Sequence, residues 1–164
     1  MMNTSALTVS GLTKKYKDFT LSDMSFEVPR GTIVGLIGEN GAGKSTTINA
    51  ILGLIQKDAG TIRILGKQEQ EIDFATRNQI GVVFDRNNFP NGLTPKELNG
   101  LLKNIYVAWD ENIYFSSLQK LALPTNKKIK TFSKGMKMKL SIAVSFSHHS
   151  KLLILDEATS GLDP

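Results

Sequence analysis

The chain has 164 residues, enough for one domain with a real core and too few for two full ones. Cysteine is absent, which excludes disulfides, and a composition of 40% hydrophobic and 21% charged residues is that of a globular protein. The net charge of +5 suits nucleic acid, an anionic membrane surface or a phosphate ligand alike.

The first residues lack the basic-then-apolar layout of a signal peptide, and no apolar run approaches the roughly 20 residues that span a bilayer. The expected address is therefore the cytoplasm. Apolar stretches of strand length alternate with helical ones, which predicts an α/β fold. Strands are expected over 6–13, 24–28 and 32–37, then a helix over 45–55 with Ile48, Ile51 and Leu52 on one side. Two more strands follow, over 61–65 and 79–84. The texture then changes. A turn-rich stretch ends in Thr94-Pro95-Lys96-Glu97, where Thr94 and Glu97 fit a capping box and Pro95 takes the first helical position. Helices are expected over 95–107, 112–121 and 133–147, and a last strand over 152–155. Residues 1–85 and 151–164 thus read as one α/β core, with 86–150 as a mostly helical insert. Two groups of lysines stand out, Lys127, Lys128 and Lys130, and Lys134, Lys137 and Lys139; a solvated face accounts for the first as well as a binding role does.

The run Gly38, Glu39, Asn40, Gly41, Ala42, Gly43, Lys44, Ser45 and Thr46 lies between an apolar strand pattern and a helix, which matches G-x-x-x-x-G-K-[ST] in the required context. Glycines allow the backbone N–H groups to close around phosphate oxygens, and the helix adds its positive end. Lys44 is expected to reach the β- and γ-phosphates, and the Ser45 hydroxyl to ligate Mg²⁺. Near the other end, four apolar residues of 152–155 deliver Asp156 and Glu157 to a strand terminus. Ligands of open α/β sheets lie off such ends. Asp156 suits Mg²⁺ held mainly through water, and Glu157 suits the orientation or deprotonation of an attacking water.

With both motifs in place, the chain resembles the ATP-binding cassette (ABC) family. Thr131-Phe132-Ser133-Lys134-Gly135-Met136-Lys137 is similar to the family signature LSGGQ, with Lys134 for the usual glycine and Met136 for the usual glutamine. Ser160-Gly161-Leu162-Asp163 resembles the loop that crosses the dimer interface, and Tyr16 the aromatic residue that stacks on adenine. Asp85 stands where the family commonly has glutamine; a carboxylate can bind Mg²⁺ but cannot donate a hydrogen bond.

The resemblance implies a P-loop NTPase core sheet with a helical subdomain, the ABC ATPase fold, incomplete at its C-terminus. It implies ATP and Mg²⁺ as ligands, with Glu157 and Lys44 catalytic. Tyr16, the loop from Gly38 to Thr46, Ser133 and Gly135 would hold nucleotide, and Ser45, Asp156 and Asp85 the metal. Ser133 and Gly135 would complete the site of a second ATP-binding subunit in a homo- or heterodimer. A polytopic membrane subunit is the other implied partner, nucleic acid is not one, and the place is the inner face of the cell membrane. Tyr106-Val107-Ala108-Trp109-Asp110 is most similar to bacterial exporters of drugs or peptides. The family continues beyond such a stretch with a strand that carries a switch histidine, so weak or absent hydrolysis is expected of residues 1–164 alone. His148 and His149 precede the acidic strand and do not fit that role; they are expected at the end of the helix over 133–147, where a cation is favoured. The alternative is a non-transport ABC ATPase acting as an ATP-gated dimerisation module. DNA-organising members carry long coiled coils, and no sustained heptads occur here. Asn126-Lys127-Lys128-Ile129 begins like a guanine-reading NKxD but lacks its aspartate.

Overall fold

The computed structural model describes residues 5–84 and 89–156. The chain divides into two compact units, Met1–Asp73 and Phe74–Pro164. In the first, β1 (Ser5–Lys15) and β2 (Thr20–Pro29) form an antiparallel hairpin, and β3 (Ala59–Ile64) and the short β4 (Lys67–Gln68) complete a sheet of order β2-β1-β3-β4. Period-two alternation puts alternate residues of a strand on one face. Here Val9 and Leu12, three positions apart, are both buried because the pairing shifts register between them. Gly11 sits inside that irregularity at φ +62°, the left-handed geometry of a β-bulge, and Gly60 at φ +90° passes close beneath it. The apolar face made by Leu7, Val9, Leu12, Ile62 and Ile64 is the core of this unit's sheet.

The helix after the glycine-rich loop, α1 (Lys44–Ile51), stops short of the expected residue 55. Its end is a Schellman motif: Gly53 adopts φ +68° and donates to the Ala50 carbonyl at 3.1 Å, while the Leu54 N–H reaches the Asn49 carbonyl at 2.8 Å. The strand expected over 32–37 does not form. That stretch has no sheet partner among the described residues, and Ile33 and Ile37 are 102% and 95% exposed. The run Ile33-Val34-Gly35-Leu36-Ile37 has the composition of a strand buried on both faces. Composition gives the tendency, and only a neighbouring strand makes the ladder.

In the second unit, α2 (Phe74–Arg77) leads into β5 (Ile80–Val83), which pairs in parallel with β6 (Leu152–Leu155) from Ile80↔Leu152 to Val83↔Leu155. Between them come α3 (Pro95–Leu102), α4 (Glu111–Lys120) and α5 (Lys134–Ser147). The capping box at the start of α3 forms as expected, with Thr94 Oγ1 accepting from the Glu97 N–H and the Glu97 carboxylate accepting from the Thr94 N–H. The helical core gathers Leu98, Leu102, Tyr114, Leu118, Ile129 and Leu140. Tyr114 is fully buried yet satisfied, its hydroxyl donating to the Pro95 carbonyl at 3.1 Å, and burial pushes its phenol well above the ordinary value.

The helix expected over 95–107 ends at Leu102 because the residues after it are taken by tertiary partners. Tyr106 lies flat on the His148 ring with centroids 4.1 Å apart, and the Trp109 indole N–H donates to Asn99 Oδ1 at 2.9 Å. The Val107 N–H donates to Asn78 Oδ1 at 3.2 Å. His148 caps the C-terminus of α5, the place expected for it, but it is 2% exposed rather than a solvated cation. Its Nδ1 lies 2.9 Å from the Asn78 carbonyl oxygen, so the neutral tautomer with a proton on Nδ1 donates there. Burial lowers its pKa below the ordinary 6.5, opposed by the hydrogen bond to Asn78 and reinforced by nearby His149.

A folded-state pKa below the unfolded one means that the unfolded chain binds the proton first as pH falls. Stability is then whole above pH 6.5 and declines from 6.5 toward the folded value. Melting of the protein is expected to drop between about pH 7.5 and about pH 5.5, a window above the range in which carboxylates titrate. His148→Phe, which keeps the stack on Tyr106 without a proton to gain, is expected to flatten that slope, and an unchanged slope in the variant would assign it elsewhere.

Candidate functional site

The glycine-rich loop folds in the first unit as the sequence requires. Gly41 and Gly43 take φ +87° and +92°, and Gly43 is the N-cap of α1. A glycine cap offers no side-chain oxygen to the first-turn N–H groups, and no acidic residue occupies that turn, so the positive helix end is left to an incoming anion. Lys44 folds back over the loop, its Nζ donating to the carbonyls of Gly38 at 2.7 Å and Glu39 at 2.8 Å. The Ala42 N–H donates to the Glu39 carbonyl at 3.1 Å and closes the turn that contains Asn40. Ser45 is exposed beside Lys44 with Thr46 half-buried after it, while Thr47 faces inward and its hydroxyl donates to the Gly43 carbonyl at 2.9 Å. Gly38 through Thr46 are thus brought together around one backbone cradle.

Tyr16 lies in the same unit, at the tip of the β1–β2 hairpin. Its N–H donates to the Phe19 carbonyl at 2.8 Å, and its ring, 46% exposed, is stacked on Phe19 at 6.3 Å between centroids. The Lys14 ammonium sits 5.6 Å from the Tyr16 ring centroid and 3.3 Å from the Asp58 carboxylate. Asp58 also accepts from the Lys15 N–H at 2.6 Å, and this bond, with Lys14, holds its carboxyl below the usual range. The hairpin tip is therefore a braced platform with an available aromatic face. Phe19 was not legible as part of it from composition. The signal is the spacing Tyr16-x-x-Phe19, which puts two aromatics on either side of a tight turn.

The remaining predicted residues belong to the second unit. Asp156 follows β6, and its N–H donates to the Val83 carbonyl at 2.9 Å, which extends the β5–β6 ladder to the carboxylate. Ser133 is the N-cap of α5, its Oγ accepting from the Met136 N–H at 3.2 Å. The hydroxyl proton remains to be donated elsewhere, and Gly135 lies in the first turn of the same helix. Asp85, Glu157 and the stretch 160–163 lie outside the described residues.

A family model described as ABC transporter matches residues 21–160. The chain belongs to the ABC transporter family. Among relatives, it is 38% identical to the bacitracin transport ATP-binding protein of Bacillus licheniformis over 93% of this chain and 51% of that protein. It is 35% identical to the lantibiotic transport ATP-binding protein of Streptococcus pyogenes over 96% of this chain and 69% of that protein. A solved ATP-binding subunit of an ABC transporter superposes with a TM-score of 0.86 at 35% identity, covering 98% of this chain and 69% of that one. The fold is thus that of an ABC ATPase domain, α/β with a P-loop, and the chain spans about half the length of the first curated relatives it matches.

ABC ATPases bind ATP, and Mg²⁺ is their usual ion. The donors in this ABC chain fit that pair. Among the described residues no three His, Asp or Glu side chains gather into a metal cluster. Ser45 in the first unit and Asp156 in the second each carry a hard oxygen donor of the kind Mg²⁺ takes when phosphates and water complete its shell. Among the described residues no helix is long and apolar enough to cross a membrane.

Proposed function

We propose that this chain is the ATP-binding and ATP-hydrolysing part of an ABC exporter of a drug or peptide. It would act with a separate polytopic membrane subunit and a second ATP-binding subunit, at the inner face of the cell membrane. The observation that carries the reading is the cradle of Gly38 to Thr46, with Lys44 drawn over an uncapped helix N-terminus. The export of a drug or peptide rests on the bacitracin and lantibiotic relatives.

In this proposal the loop N–H groups and Lys44 bind the phosphates, and Tyr16 stacks on adenine. Ser45, Asp156 and Asp85 hold Mg²⁺, which would screen phosphate charge. Glu157 takes the proton of the attacking water. Ser133 and Gly135 present a helix N-terminus to the γ-phosphate of the second subunit's nucleotide. Residues 1–85 and 151–164 form the ATP-binding core, and 86–150 the helical signature subdomain, a division supported by the parallel β5–β6 pair that brackets α3, α4 and α5.

Glu157→Gln tests the reading directly. The amide can hold water without accepting its proton, so in a protein that also carries the family's strand with the switch histidine, phosphate release is expected to fall by about a hundredfold or more while ATP binding persists. With ATP present, the variant should elute from gel filtration as a dimer. Persistent monomer at high concentration, or undiminished phosphate release, would count against the shared-site mechanism.

A further inference from the structure

We propose that Phe19 is a positioning residue for the nucleotide, a rigid link between the aromatic platform at Tyr16 and the phosphate loop at Gly43. The inference rests on the nucleotide-site reading above and assigns a residue which that reading leaves idle.

A Cβ placed on Gly43 would lie 3.0 Å from Phe19 Cζ, 3.6 Å from Phe19 Cε1 and 3.0 Å from Leu21 Cδ1. The edge of the Phe19 ring therefore fills the space that the missing side chain of Gly43 leaves open. Its other neighbour is the Tyr16 ring, at 6.3 Å and an interplanar angle of 29°. One ring thus touches both the residue expected to stack on the base and the N-cap of the helix expected to receive the phosphates. The hairpin that carries Phe19 is itself tied down, by the Tyr16 N–H on the Phe19 carbonyl and by Asp58 on Lys14 and Lys15. Leu21, buried at the next alternate position, supports Gly43 from the same side.

An aromatic residue with only a core role would be enclosed by the sheet. Phe19 is half-buried at a hairpin tip, with the Tyr16 ring on one side and Gly43 on the other. Held this way, base platform and phosphate loop keep one spacing, so a ligand meets both without ordering either. Such pre-organisation raises affinity by lowering the entropy lost on binding.

The test separates the two ends of the link by using inorganic tripolyphosphate, which has no base, beside ATP, both with Mg²⁺. In Phe19→Ala, ATP affinity is expected to fall about tenfold and tripolyphosphate affinity about threefold, because platform and loop are both released. Phe19→Leu refills the space over Gly43 without a ring. It is expected to restore tripolyphosphate binding and leave ATP weakened, a split that general destabilisation would not produce. Should Phe19→Ala not fold, the split in Phe19→Leu carries the test. Wild-type tripolyphosphate binding in a folded Phe19→Ala, or wild-type binding of both ligands by Phe19→Leu, would overturn the link alone. A wild-type protein that binds neither ligand would overturn the nucleotide site and the link with it.

Discussion

Lys44→Ala is expected to lower ATP affinity by about a hundredfold or more, the largest effect of any single side chain at the loop. The ammonium group does two jobs. It bonds the carbonyls of Gly38 and Glu39, which occupies those oxygens and braces the start of the loop. It also brings a positive charge to a triphosphate that has left water. Each charge-assisted hydrogen bond from the ammonium to a phosphate oxygen is worth about 1.5–3 kcal/mol, and losing two of that size amounts to at least about a hundredfold in binding. Lys44→Arg should not rescue, because a planar fork cannot occupy the place of a compact point charge. Calorimetric titration with Mg-ATP checks both variants. The melting temperature without ligand is expected to stay near wild type, since the lysine anchors a loop rather than the core. Unchanged ATP affinity in Lys44→Ala would remove the basis for the phosphate-loop reading.

What the sequence showed and what it hid divide along a physical line. Features set by neighbours in the chain were legible. The cradle of Gly38 to Thr46 and the capping box of Thr94 and Glu97 are both local, and each residue type has one reason to be there. β6 was readable to the residue, because four apolar side chains lie between Lys151 and Asp156. Features set by partners far along the chain were not. The stretch 32–37 has strand composition, but no composition states which strand lies beside it. α3 was overextended because nothing local says that Tyr106 and Trp109 will turn back to His148 and Asn99. The lowered pKa of His148 likewise follows from burial. The short end of α1 was a different kind of miss, since Gly53 was in plain view as a helix stop. Phe19 stayed hidden because its role depends on a glycine in a separate loop.

The second large effect concerns Gly60, where two backbones cross without side chains between them. A Cβ at Gly60 would lie 2.5 Å from both the carbonyl carbon and oxygen of Gly11, and 2.6 Å from the Leu12 nitrogen. Those are main-chain atoms of the β1 bulge, so no rotamer change can relieve the contact. The backbone at Gly60 also holds φ +90°, which costs an L-residue roughly 1–2 kcal/mol by itself. Overpacking against fixed atoms adds about 1–3 kcal/mol or more. Gly60→Ala is therefore expected to destabilise by about 2–5 kcal/mol, a large share of the roughly 5–15 kcal/mol of a whole domain. Gly31 supplies the control. It has φ +74° with nothing within 4 Å of its Cβ position, so Gly31→Ala carries the backbone cost without the collision. Urea unfolding of both variants separates the two contributions. If Gly60→Ala unfolds at the same urea concentration as Gly31→Ala, the close crossing of β1 and β3 at Gly11 is not a feature of the folded protein.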